Sequence, residues 1–530
     1  MNNNITNQNG DAMSGNEPTG VRRRRKSKVA IWLGIAGIFA TSAALIPLGS
    51  NTQAAFAGES EGMVCTEGDS STGHHVFNLT ASDGYTSEPD GNAIYDWGYG
   101  DADKSLGFQL PGPVLCVQQG ETVDVTLTNE LLVDTSIQFP GQQGVSYYYG
   151  TDAPAPVGPT ADGTGNLVSL VQQAGAPGGL SGIPSKITYS FIAGEAGTYL
   201  YESGSDPQLQ VQMGLFGAIV VRPNVDITAA DILAIPFEDG NASGQTNGNG
   251  GGMSSATAEA LVADGRAACA YASLDDGNKC DPLAIYDSAA DKENILMLSE
   301  IDPGVHNFME QNLATPATLT WNSYPNGYEA HYFMINGRSM PDTVAPNNAP
   351  WMPSQPYGSL AHVKPWDPAT NPLDALLRYV AVGVTGYDFH PHSNHEHVIA
   401  EDGALMKGTG TALDPGDDNT EAKFNIMVGP GSTVDATFRW TNEEQYSDTD
   451  GKRVPVAWPQ GLNLQEGDFW SGSPYLGDSG LLNPGILTKT QCGEYYHVAH
   501  SHDLTQVTNY GITFGGMLTL IKVEPATGCD

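Results

Sequence analysis

Basic residues are scarce in this chain: 22 Lys and Arg stand against 60 Asp and Glu in 530 residues, a net charge of −38. A field of that sign repels anionic polymers, so nucleic acid is excluded as a partner, and the surface suits solubility or the gathering of cations. No two cysteines form a CxxC pair, which argues against a thiolate zinc site. Long stretches of helical periodicity are also lacking, which excludes a helical bundle. Beyond the first 57 residues no segment is apolar enough to cross a membrane. What the chain does have is 64 Gly and 34 Pro, a supply of turn residues that suits many short strands, so the expected class is all-β.

The first 57 residues read as a secretory leader. A basic block from Arg22 to Lys28 precedes an apolar run from Val29 to Leu48 and the small-x-small end Ala55-Phe56-Ala57. An uncleaved anchor is the alternative, because the run approaches the roughly 20 residues that span a bilayer; Pro47 and the A-x-A end favour cleavage. Removing the leader takes away six basic and two acidic residues, leaving 16 against 58 and a net charge of −42. All six cysteines (Cys65, Cys116, Cys269, Cys280, Cys492, Cys529) follow the leader, an even count that suits an oxidising compartment and as many as three disulfides. Cys269 with Cys280 is the expected first pair. The expected location is therefore secreted, periplasmic or at the cell surface.

A length of 530 residues exceeds one hydrophobic core and predicts roughly three units after the leader. Three matches in one order relate the first unit to the last. Gly120-Glu-Thr-Val-Asp-Val-Thr-Leu-Thr-Asn129 is echoed from Gly431 to Asn442, Gly197-Thr-Tyr-Leu-Tyr-Glu-Ser-Gly204 from Gly493 onward, and Met213 to Pro223 from Gly515 to Pro525. The first of these alternates apolar and polar residues, as a half-buried strand does. Boundaries are expected at 1–57 for the leader, 58–223, 224–345 and 346–530. The middle unit carries a Gly/Asn/Ser-rich loop from Asp239 to Ser255, a short helix within Ala256 to Ala272, and strands at Asn294 to Ser299 and Tyr332 to Asn336; it too is expected to be a β-sandwich.

Histidine is where chemistry concentrates. Twelve histidines predict about 0.2 per eight-residue window, yet His390-Pro-His-Ser-Asn-His-Glu-His397 holds four, which marks a biased tract. His497-Val-Ala-His-Ser-His502 adds three. Neutral imidazole is the commonest side chain for copper, zinc or nickel, and a site needs three or four converging from separate segments. Alternation along a strand lets His500 and His502 share a face while Ser501 points away. Pro391 and Ser393-Asn394 make the first segment a turn or strand end, from which His390, His392 and His395 can aim into a cleft. His397 is an added candidate. His74, His75, His306, His331 and His362 are isolated and read as hydrogen-bonded structural residues.

The run Leu110-Pro-Gly-Pro-Val-Leu with Gly120-Glu-Thr-Val, then Gly197-Thr-Tyr-Leu-Tyr and Gly214-Leu-Phe-Gly-Ala-Ile-Val-Val, resembles the first cupredoxin domain of multicopper oxidases. His390-Pro-His-Ser-Asn-His and His500-Ser-His502 with Gly516-Met517 resemble the copper motifs of that family's last domain. The resemblance implies three cupredoxin-like Greek-key β-sandwiches over nearly the whole mature chain. It also implies departures. Where the family's first domain supplies HxHG and HSH, this chain has Phe139-Pro140-Gly141 after Ile137-Gln138, and Glu202-Ser203-Gly204. In the last domain one ligand position is Ser393, and the blue-copper cysteine is Ser501. A His2Cys centre cannot form without the thiolate, so laccase-style oxidation is expected to be absent; Cys492 reads as a disulfide partner.

The resemblance carries His395, His500 and His502 over as ligands, with His390 in the place of a former blue-copper ligand and His392 added. Met517 falls in an axial-ligand region but reads better as core. The expected cofactor is copper, with zinc as the alternative, and the expected partners are the metal with dioxygen or a small-molecule reductant. Two functions are open: an exported oxidoreductase-like copper protein with an all-His site, or a non-catalytic secreted scaffold or copper-sequestering protein that kept the fold.

Overall fold

The repeated alternating segments all become strands. The computed structural model describes residues 62–524 except 72, 103–106, 179–180, 236–253, 274–278, 290, 314–319, 368–370, 393, 408–418 and 441–494. The leader, the expected loop at 239–253, Ser393, Cys492 and Cys529 lie outside the described residues.

In the first half, His74–Ser87, Thr122–Asn129, Lys186–Ile192 and Ser146–Tyr148 lie side by side in a seven-stranded sheet. It packs against a three-stranded sheet of Gly197–Glu202, Phe216–Arg222 and Leu115–Gln118. Inward residues alternate as the pattern requires: Val123, Val125 and Leu127 from one sheet and Tyr199, Tyr201, Ile219 and Val221 from the other share one core. Cys65–Cys116 fastens the start of the described chain to this sandwich.

The second half repeats the plan. Thr433–Phe438, the echo of Thr122–Asn129, lies in a seven-stranded sheet with Ala375–Ala381, Glu396–Glu401, Glu293–Ile301 and Tyr332–Ile335. Opposite it, Tyr495–Ser501 pairs with Leu518–Val523 as Gly197–Glu202 pairs with Phe216–Arg222. That smaller sheet runs in the order Ala361–Val363, Leu518–Val523, Tyr495–Ser501, Tyr387–Pro391, Ile426–Val428.

The middle segment is laid into this second sandwich. Glu293–Ile301 pairs parallel with Ala375–Ala381 and antiparallel with Tyr332–Ile335, so the expected 345/346 boundary runs through one sheet. The physical reason is that Glu293–Ile301 is buried along its whole length, with apolar residues on both faces. Leu296 and Leu298 enter the second core. Ile295, Met297 and Ile301 instead meet Leu200, Phe216, Ala218 and Val220 of the first sandwich. Each such side chain removed from water contributes about 1.5–3 kcal/mol, so this strand serves as the seam between the halves. Among the described residues of 224–292 are helices Ala229–Leu233 and Ser255–Ala263, the latter within the segment expected to be helical, and the Cys269–Cys280 disulfide.

A polar bridge crosses the seam. The buried Arg378 guanidinium reaches Glu293 at 2.8 Å and Asp435 at 2.9 Å. Thr198 of the first sandwich donates to Asp435 at 2.7 Å, and Arg222 reaches Glu293 at 2.8 Å. No helix among the described residues is long and apolar enough to cross a membrane.

Candidate metal centre

Strand register brings the two His segments together. Tyr387–Pro391 runs antiparallel to Tyr495–Ser501 with His390 opposite His500. The pairing extends one step each way, His502 N donating to the Asp388 carbonyl at 2.6 Å and His392 N to the Val498 carbonyl at 2.9 Å. Tyr387 and Phe389 turn into the core, so alternation sends Asp388, His390 and His392 to the other face. Ser501 is fully buried and donates to Gln506 at 2.6 Å, leaving His500 and His502 on the face of His390. Gly516 closes the return turn at φ 64°, where a Cβ would lie 2.4 Å from the Gln506 carbonyl.

Four imidazoles meet there. The His390 ring centroid lies 4.6 Å from His392, 5.6 Å from His500 and 5.0 Å from His502. His392 and His500 are 5.2 Å apart, and their Nε2 atoms approach to 3.1 Å. Backbone carbonyls settle two tautomers, because a carbonyl can only accept. His390 Nδ1 donates to Phe424, and His500 Nδ1 donates to its neighbour Ser501 at 2.6 Å. In the neutral rings Nε2 is then the lone-pair atom.

Burial keeps His390, His392 and His500 neutral. It pushes His392 down to about 4, helped by the neighbouring His390, His500 and His502. His500 falls to about 4 through burial and through His390 and His502, against the opposing Ser501 carbonyl. His390 is lowered too, by burial first, with the Phe424 carbonyl opposing. Neutral imidazole is the form that binds metal.

Of the four rings, His392 and His500 have the nitrogen spacing that a shared metal ion requires. Two nitrogens bound at about 2.0–2.1 Å with angles of 90–110° lie roughly 2.9–3.4 Å apart, and the His392–His500 contact falls in that range. His390 and His502 approach as rings and must turn about χ to bring nitrogens to the same point.

The other candidates fall elsewhere. His395 is exposed and stands against Phe424, centroids 5.5 Å apart, so it is not brought into the four-ring group. Beside it, the Asn394 side chain accepts from His395 N at 2.8 Å and donates to the Arg439 carbonyl at 2.6 Å. His397 meets Thr420 at 2.6 Å, and His497 is buried beside Trp440. Met517 is fully buried in the second core. His306 is paired with Asp96 at 2.9 Å inside the protein.

One constellation had no signal in the sequence. Asp291, His362 and Glu524 place three donor atoms within 4.8 Å of one another, although they are far apart in the chain. Lys292 bonds both carboxylates, Asp291 at 2.9 Å, so an ammonium already holds the place of a cation. In the first sandwich, the positions matching His390 and His500 hold Gln138 and Glu202. They bridge through backbone bonds, and Gln138 Nε2 donates to Glu202 Oε1 at 2.9 Å.

No family model matches the chain, and no curated protein matches it. Its likeness is to solved copper oxidases. A blue copper oxidase from Nitrosomonas europaea is 15% identical, covering 85% of this chain and 86% of that one, with a TM-score of 0.42. A multicopper oxidase, mgLAC, is 15% identical over 86% and 88%, TM-score 0.43. A copper nitrite reductase from Nitrosomonas europaea is 16% identical over 69% and 85%, TM-score 0.35.

Proposed function

We propose that this chain is an exported copper-binding protein of the multicopper-oxidase type whose metal is held by His390, His392, His500 and His502 without a blue-copper centre. The observation that carries the reading is the 3.1 Å approach of His392 and His500 Nε2, with His500 held in the tautomer that points a lone pair at the contact. Without a metal, one His392 proton must sit between those nitrogens; with one, both lone pairs face a cation. Among divalent first-row metals an all-nitrogen site favours copper. Copper would supply one-electron chemistry toward dioxygen or a small reductant, while the protein's part is to keep His390, His392 and His500 neutral and to turn four imidazoles to one face. Ser501 replaces any thiolate and is engaged with Gln506, which leaves no route to a His2Cys centre.

The leader at 1–57 and the disulfides Cys65–Cys116 and Cys269–Cys280 support export to an oxidising compartment. A second reading, a non-catalytic scaffold or copper-sequestering protein, draws on the first sandwich, where Gln138 and Glu202 satisfy each other with no metal ligand.

Copper content and electron paramagnetic resonance of the tag-free mature protein test the proposal. Stoichiometric copper with a signal lacking blue-copper character is expected, lost in a variant carrying His392→Ala and His500→Ala. A folded wild-type protein that takes up no copper, or copper retained in that variant, overturns it.

A further inference from the structure

Three of the four rings have visible means of orientation. His390 and His500 donate Nδ1–H to carbonyls, and His392 faces His500. His502 has ring contacts with His390 and His500 but, among the described residues, no carbonyl of that kind. Directly across the strand pair from it stands Asp388, whose backbone carbonyl takes the His502 N–H at 2.6 Å. Opposed residues of an antiparallel pair carry side chains on one face with Cβ atoms about 4.5–5.5 Å apart, within reach of a carboxylate and an imidazole.

The carboxylate is unusual for one so placed. Among the described residues, Asp388 Oδ1 is buried and accepts no hydrogen bond, a costly condition when nothing compensates it. Asp388 is also two residues from His390 on the same strand, so it belongs to the face on which the four rings lie. A buried acceptor without a donor thus stands across the strand pair from His502, an exposed imidazole with a ring N–H to place.

We infer that Asp388 is the positioning residue of the copper site, its Oδ1 accepting the ring N–H of His502 and thereby turning the other His502 nitrogen toward the metal. This rests on the copper reading above. Metal-bound imidazoles generally pass their second N–H to a carboxylate or carbonyl, which fixes the ring and raises its basicity. Asp388 would give His502 what Phe424 and Ser501 give His390 and His500. It would also bring one negative charge beside a dication held by neutral ligands. Asp388 acts through His502 and does not itself touch the metal.

The test uses the mature protein and Cu(II) alone, with affinity and the paramagnetic resonance spectrum as readouts. Asp388→Ala is expected to weaken copper binding about 10- to 100-fold, the usual effect of losing such a partner, and to change the nitrogen hyperfine pattern. Asp388→Asn keeps a carbonyl acceptor and is expected to restore the wild-type pattern and most of the affinity. In a His502→Ala background, Asp388→Ala is expected to have no further effect. Wild-type copper binding unchanged by Asp388→Ala overturns the inference and leaves the copper reading intact. An Asp388→Asn loss as large as that of Asp388→Ala, or a full Asp388→Ala loss without His502, overturns it as well. Failure of the wild-type protein to bind copper removes both. Unchanged circular dichroism and unfolding midpoint in Asp388→Asn separate these outcomes from misfolding.

Discussion

The two sandwiches pair equivalent strands in the same way and place different chemistry at the same step. In the first, Glu202 lies opposite Gln138, and an amide donates to a carboxylate. In the second, His500 lies opposite His390, and two more imidazoles crowd onto the face. The first arrangement satisfies itself. The second leaves the neutral rings of His392 and His500 with their Nε2 atoms 3.1 Å apart, at the expense of burying His500 to 3% exposure. The backbone pairing is therefore indifferent to the chemistry, and what distinguishes a closed hydrogen bond from a ligand set is the side chains that the register happens to oppose.

The largest expected effect breaks that contrast outright. His500→Ala or His392→Ala is expected to lower copper affinity more than about 100-fold, beyond the loss of an outer partner, whereas His395→Ala changes it little. Isothermal titration of the three variants checks this, and a His395→Ala loss equal to the others would return that residue to the site.

The two regions should also respond oppositely to pH. His500 is held near 4 when folded, through burial and its neighbours, against an ordinary value of about 6.5. Above the ordinary value both states are neutral and nothing changes. As pH falls from about 6.5 to 4, the unfolded chain takes up a proton that the folded one refuses, so stability declines by up to about 3 kcal/mol. Urea unfolding of the metal-free protein at both ends of that window, with and without His500→Ala, is expected to show a shallower decline in the variant.

Much of this architecture could be read before any coordinates. Alternation at Thr122–Asn129 and Thr433–Phe438 marks both as strands, although the second is buried along its whole length, and the same period places His500 and His502 together with Ser501 behind. The seam was harder to read. Glu293–Ile301 is apolar on both faces, and a strand without a polar side carries no sign of which sheets it joins. His395 stands outside the four-ring group, and spacing alone does not report that Asn394 bonds to Arg439. Asp388 offered no signal except its two-residue distance from His390, which becomes meaningful once its oxygen is seen buried opposite His502. The Asp291–His362–Glu524 group depends on strand pairing across most of the second half, Ala361–Val363 lying parallel to Leu518–Val523, and no local pattern encodes that.

The smallest expected effect belongs to the self-satisfied pair. Burial raises the Glu202 carboxyl above its ordinary value, with the Gln138 amide pulling the other way. A raised carboxyl binds a proton more readily folded than unfolded, so its contribution is present at low pH and is lost as pH rises through the folded value, the reverse of His500. Glu202→Gln retains a carbonyl for the Gln138 amide and removes the charge. It is therefore expected to be near neutral at pH 4 and to stabilise the protein by under about 1 kcal/mol at pH 8. Denaturant midpoints at the two pH values measure the difference. A variant that is less stable at pH 8 would mean that the Glu202 charge is doing something in the first sandwich beyond holding Gln138, and the contrast between a closed pair and an open site would have to be drawn elsewhere.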